Sequence, residues 1–171
     1  MKNKRIGALA LASIMAFGMT GCTKIEKVSK KDFVKACEEA GYDEDDIYEE
    51  DLEDEGLSYF GGIEDDDIAL IYIEYEDEDD ALERFDDLLD DFEDADKNGS
   101  SKYAFMSNKY YGYFVLNGEI EDWDAIDFEG DAYIGVYYAD DTIVMALANS
   151  DSKKDKEVID DFVESLGYPN P

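Results

Sequence analysis

Apolar residues recur at helical spacing in three stretches of this chain and at strand spacing in most of the rest. Over Asp79–Glu93, the residues Ala81, Leu82, Phe85, Leu88, Leu89 and Phe92 form the clearest amphipathic stripe. A second stripe, Val158, Ile159, Phe162, Val163 and Leu166, predicts a helix over Asp155–Leu166. The third, Phe33, Cys37 and Ala40, predicts a helix over Lys31–Ala40 with Ser29 as its N-cap. Two of these helices end in the same way, on Gly41-Tyr42 and Gly167-Tyr168. Glycine takes the left-handed stop there, and the tyrosine folds back on Cys37 or Val163.

Strand patterns fill the intervals. Ile68–Tyr75 is apolar on both faces and reads as a central strand. Tyr103–Met106, Tyr110–Leu116, Tyr133–Tyr138 and Ile143–Ala148 follow, and Leu57–Phe60 adds an edge. Asn108-Lys109, Asn117-Gly118 and Asp140-Asp141 are the expected turns, the Asn-Gly pair carrying the strongest hairpin signal. The order is α-β-β-α-β-β-β-β-α. Hairpin-linked strands with few crossover helices mean an α+β fold with a mainly antiparallel sheet. About three helices are expected to cover one face of it.

The first 22 residues follow a different rule. Lys2, Lys4 and Arg5 precede the 14-residue apolar run Ile6–Met19, and small residues lead to Cys22. This is the layout of an export signal. The run falls short of the roughly 20 apolar residues that span a bilayer. Met19-Thr20-Gly21-Cys22 resembles the lipobox of bacterial lipoproteins, with Met19 in place of the usual Leu. The resemblance implies diacylglycerol on the Cys22 sulfur and cleavage just before it. Two acyl chains anchor a protein stably where one does not. Residues 1–21 then form the signal peptide, 22–29 the lipid anchor and a short linker, and 30–171 one acidic domain. The expected location is the extracytoplasmic face of the cell membrane. Seven linker steps from Cys22 to Ser29 reach no more than about 25 Å.

Charge narrows the partners. The chain has 15 Lys and Arg against 47 Asp and Glu. Residues 1–21 hold three basic residues and no acid, so a chain starting at Cys22 has 12 against 47, or −35. Lys24, Lys27, Lys30, Lys31 and Lys35 crowd the anchor end. They suit either anionic headgroups, at about 1 kcal/mol per Lys near the surface, or a solvated helix start. Such an acidic body excludes nucleic acid, whose phosphates need Lys and Arg. Beyond the membrane itself, a basic or cation-bridged envelope protein or glycan fits it better.

Chemistry-bearing motifs are few. There is no His, which removes imidazole catalysis and His metal ligands. With Cys22 acylated, Cys37 is the remaining thiol, and its place on an apolar stripe reads as inert core. Asp94, Asp96 and Asn98, followed by Gly99, match the first half of a calcium loop. The twelfth position is Phe105, where a bidentate carboxylate is needed. The acid runs at 43–46, 49–55 and 65–67 read as solvated loops or loose cation collectors. Tyrosine suits half-buried sheet surfaces, and neighbours in a strand point to opposite sides. With one face uncovered, Tyr111, Tyr113, Tyr137, Tyr138 and Trp123 become candidates for an open aromatic ligand face. The other reading of Trp123 is a pin holding the acidic stretch 119–129 to the core.

Lys31-Asp32-Phe33, Ala40-Gly41-Tyr42, the strand Ile68–Tyr75, Ala81, Phe85, Asp141-Thr142-Ile143-Val144 and Leu166-Gly167-Tyr168 together resemble small uncharacterised lipoproteins of Gram-positive anaerobes. That resemblance implies export, anchoring and fold class, and brings no defined activity. The functional expectation is a membrane-anchored, non-enzymatic binding or accessory module of the cell envelope. A calcium- or cation-dependent binding protein and a carboxylate-only hydrolase are the alternatives.

Overall fold

A computed structural model describes residues 25–50, 56–96, 102–123 and 128–171. The fold is α+β. Its elements are α1 (Lys30–Glu39), a one-turn 3-10 helix (Glu44–Asp46), β1 (Tyr48–Glu49), β2 (Leu57–Glu64), β3 (Ile68–Tyr75), α2 (Glu78–Asp94), β4 (Lys102–Asn108), β5 (Tyr111–Trp123), β6 (Phe128–Ala139), β7 (Thr142–Ala148) and α3 (Lys153–Ser165). One sheet takes all the strands in the order β1-β2-β3-β7-β6-β5-β4. Every neighbouring pair is antiparallel. The predicted element order holds, with the two-residue β1 added at the edge.

The helix boundaries have local causes. Ser29 and Asp32 form a reciprocal capping box at the start of α1, each side chain accepting from the other's backbone N–H at 3.2 Å. Asp77 caps α2 by accepting from the N–H groups of Asp79 and Asp80, both at 3.0 Å. The acids of that first turn also suit the positive end of the helix dipole. Gly41 (φ 102°) and Gly167 (φ 76°) take the left-handed stops after α1 and α3. Tyr42 N–H then reaches Cys37 O, and Tyr168 N–H reaches Val163 O.

The cover of the sheet corrects the one-face expectation. α1 and α3 pack on one face, over Leu70, Tyr72, Val144 and Tyr137. α2 packs on the other, over Phe114, Ile134, Tyr138 and Ile143. All seven residues of β7 are buried as a result. The physical reason is in the strands: β3 and β7 are apolar on alternate and intervening positions alike, so bare sheet on either side would leave a row of large apolar groups in water.

Two turns are also corrected. Asn117-Gly118 lies inside β5, opposite Tyr133 and Ala132 of β6. β5 runs on to Trp123, because β6 extends alongside it and pairs the added residues. The Asp140-Asp141 turn forms as expected, with Asp140 left-handed at φ 54°. The β4–β5 turn falls one residue later than the expected Asn108-Lys109, at Lys109-Tyr110, because Asn108 still pairs with Tyr111 and its Oδ1 accepts from the N–H groups of Tyr110 (2.9 Å) and Tyr111 (3.3 Å).

Candidate functional site

The strands define two ends, and different chemistry collects at each. At one end lie the C-terminus of β3 and the turns β4–β5 and β6–β7, where Asp140 N–H donates to Tyr110 O at 3.1 Å. The chain enters the fold here. Ile25 and Val28 are buried under the α1/α3 face. Tyr168 Oη donates to Glu26 O at 2.9 Å, and Tyr72 Oη to Val28 O at 3.4 Å. Lys27 Nζ pairs with Asp141 at 2.6 Å and Glu74 at 3.1 Å. Burial alone would lower the Lys27 pKa, but its hydrogen bonds to Asp141 and Glu74 outweigh that and raise it. Residues 25–28 are thus packed rather than slack linker. The fold reaches to three residue steps from Cys22, about 11 Å of chain at most. Cys22 itself lies outside the described residues.

At the other end is the β2–β3 turn, Asp65-Asp66-Asp67. Asp65 is occupied in holding it: Oδ1 accepts from the N–H groups of Asp67 (3.0 Å) and Ile68 (2.9 Å), and Oδ2 from the Tyr42 hydroxyl (2.8 Å). Burial would raise the Asp65 pKa, yet these hydrogen bonds hold it below its ordinary value. Asp66 and Asp67 remain exposed on the turn. Beside it, on the α2 face, an open cleft of about 390 Å³ has Phe60, Ile71, Met145 and Leu147 in its lining, together with Glu50, Glu64, Asp66 and Asp67.

The path of α2 explains why this corner is open. The helix leaves the end of β3 and runs diagonally, placing Phe85 on Tyr138 (ring centroids 5.4 Å apart) and Phe92 on Phe114 (4.6 Å) and Trp123 (5.6 Å). Seventeen residues span about 25 Å. They cover the β5–β6 side and, among the described residues, leave the distal corner of β2, β3 and β7 without a helix. On the opposite face, a hollow of about 460 Å³ beside Tyr42, Lys154 and Val158 shares the same aspartate turn.

The open aromatic face expected from sequence does not assemble. Tyr137 and Tyr138 are both buried, on opposite faces, since both faces are covered. Tyr137 stacks on Tyr168 at 4.7 Å and donates its hydroxyl to Pro169 O at 2.6 Å. Trp123 is fully buried at the end of β5, edge-on to Phe92 and Phe114. Its place is the core, the second of the two expected roles, and it pins a strand rather than a loop. Tyr111 and Tyr113 are half-buried. The calcium-loop candidates divide as well: Asp94 ends α2, the Asp96 carbonyl accepts from Glu121 N–H at 2.8 Å, and Asn98 lies outside the described residues. Among the described residues no group of three or more acids or thiols is placed to hold a metal ion.

Burial pushes the Cys37 thiol up to about 12. Burial also raises the carboxyls of Asp86 on α2 and Asp160 on α3, which sit on opposite faces of the sheet and cannot act as a pair. Sequence reasoning missed the cleft beside the aspartate turn. The double-sided apolar pattern of Ile68–Tyr75 was the signal, because it puts apolar side chains on both faces of the sheet.

No protein-family model and no curated protein matches the chain. Among solved structures, the chain is similar to the extracellular domain of PknH from Mycobacterium tuberculosis. Identity is 10%, the TM-score is 0.32, and 66% of each chain is covered. A likeness this distant transfers neither fold nor role. Among the described residues, no helix is long and apolar enough to cross a membrane.

Proposed function

We propose that this chain is an exported, lipid-anchored binding module of the cell envelope, acting by recognition rather than catalysis. Diacylglycerol on Cys22 holds it at the extracytoplasmic face. The distal cleft is its ligand site, and the ligand is a basic segment of an envelope protein that offers an apolar side chain between positive charges. The observation that carries this reading is the polarity of the molecule. β3 begins with Ile68 in the cleft and carries Glu74 beside the entry of the chain, six residues or about 20 Å further on. A ligand in the cleft therefore approaches from the side away from the bilayer. The apolar part of the lining supplies burial, and Glu50, Glu64, Asp66 and Asp67 supply complementary charge.

The test is capture from the organism's own envelope extract, with the parent protein and an Asp66→Lys/Asp67→Lys variant as baits. A basic protein held by the parent, released as salt rises and absent from the variant supports the site. Capture of the same protein by both baits, or a response that does not change with salt, rejects it.

A further inference from the structure

Among the described residues a single large hydrophobic side chain is exposed, Tyr110, at 61%. It occupies the tip of the β4–β5 hairpin next to Lys109, whose Nζ lies 5.8 Å from the ring centroid. The tip stands beside the entry of the chain: Ile25, Glu26, Lys27, Tyr110, Tyr111 and Asp140 line one hollow of about 490 Å³. Three residue steps separate Ile25 from Cys22. If Cys22 carries lipid, about 11 Å of chain is the most that can lie between the acyl glycerol and this end of the fold. Interfacial headgroup layers are themselves several ångströms deep, about 5–7 Å on each side of the hydrocarbon core. The hairpin tip is then within reach of that layer.

We infer that Tyr110 and Lys109 form a membrane seat, with the phenol ring placed among the lipid headgroups next to the anchor. This rests on the lipid-anchored reading above. The chemistry is that of interfacial residues: a tyrosine puts an apolar ring and a polar hydroxyl at one depth, and a lysine covers apolar surface while its ammonium meets phosphate. In sequence, Lys24 adds a positive charge to the segment between Cys22 and Ile25. Acids limit the area of contact. Asp140 stands behind the tip, and the acidic first turn of α2, Glu78 to Asp80, starts from this same end. Contact is therefore confined to the hairpin tip and the entry segment, and the molecule stands end-on with its distal cleft outward.

The test uses the full acylated chain in vesicles of phosphatidylcholine and phosphatidylglycerol, carrying a nitroxide either on the headgroup or deep in the acyl chains. Tyr110→Trp places an indole at the tip. The native Trp123 sits at the far end of β5, about 40 Å along the strand, and is a built-in reference. Asp66→Trp provides a second distal indole. The headgroup nitroxide should quench the indole at 110 strongly, the deep nitroxide should quench it less, and the distal indoles should keep their intensity. Vesicle flotation without quenching at 110 would leave the anchor standing and overturn the seat. Equal quenching at 110 and 66 means a domain lying flat, and overturns it too. Failure to float with the vesicles would remove the anchor and the seat together.

Discussion

Phe85 is fully buried between α2 and the sheet, 5.4 Å from Tyr138 and 5.7 Å from Phe114. Truncation to alanine loses transfer energy and leaves a cavity, about 3–5 kcal/mol in total. A domain of this size holds about 5–15 kcal/mol. Phe85→Ala should therefore shift the urea midpoint sharply downward, and an unchanged midpoint would place Phe85 outside the core. A second residue-scale effect comes from groups that burial keeps protonated. The Cys37 thiol rises from 9.0 to about 12 and the Tyr138 phenol from 10.0 to about 12. For both, the folded pKa lies above the unfolded one. Their contribution is complete below the unfolded value and disappears as pH climbs through the folded value. Stability should hold level near neutrality and fall progressively above pH 9.0, with the thiol's part of the slope removed in Cys37→Ala. Denaturant melts across alkaline pH measure it.

At the scale of elements, β6 shows how a strand makes room for its own aromatics. A Cβ at Gly135 would collide with the Tyr137 ring two residues on. That ring needs its position to stack on Tyr168 and to donate to Pro169 O. Tyr168 in turn holds the Glu26 carbonyl of the entry segment. Gly135→Ala should displace the ring and destabilise the fold by about 1–3 kcal/mol, the range for overpacking. A loss of near-ultraviolet circular dichroism should accompany it, and full retention of both signal and stability would show that the ring has another place to go. The coupling also ties residues 25–28 and the segment after α3 to one face, which is why the chain enters the fold at a fixed end of the sheet.

The whole molecule is dominated by its charge of −32. Ion pairs engage lysines such as Lys27, Lys30, Lys35, Lys153 and Lys156, far fewer than the 47 acids. Self-repulsion therefore opposes the compact state, and exposed charges are screened beyond about 8 Å at physiological ionic strength. The melting temperature should rise from low to high sodium chloride. Calcium chloride at matched ionic strength should give a rise of similar size, whereas a much larger one would restore a specific calcium site. For localisation, Cys22→Ala should leave the protein unprocessed or release it to the medium. Unchanged membrane fractionation and normal cleavage would reject the anchor.

Local chemistry, read without any fold, determined a good deal. The stripe around Phe85, the Ser29 cap and the Gly41 and Gly167 stops each depend on residues within a turn or two, so the helices were legible to within about two residues. Export signals are likewise linear, so the reading of Cys22 as a lipid anchor rests on sequence alone and on the Cys22→Ala experiment. What depended on residues far apart was decided only by the tertiary structure. Asn117-Gly118 carries a strong turn signal, yet it stays extended because β6 pairs with it. Tyr137 and Tyr138 could have opened a ligand face, yet each is roofed by helices distant in sequence. The cleft beside Ile71 and Leu147, and the meeting of Tyr110 with Ile25, exist because α2 crosses the sheet diagonally and the hairpins share one end. Periodicity states which residues seek burial. Which of them obtain it follows from where the covering elements fall in three dimensions.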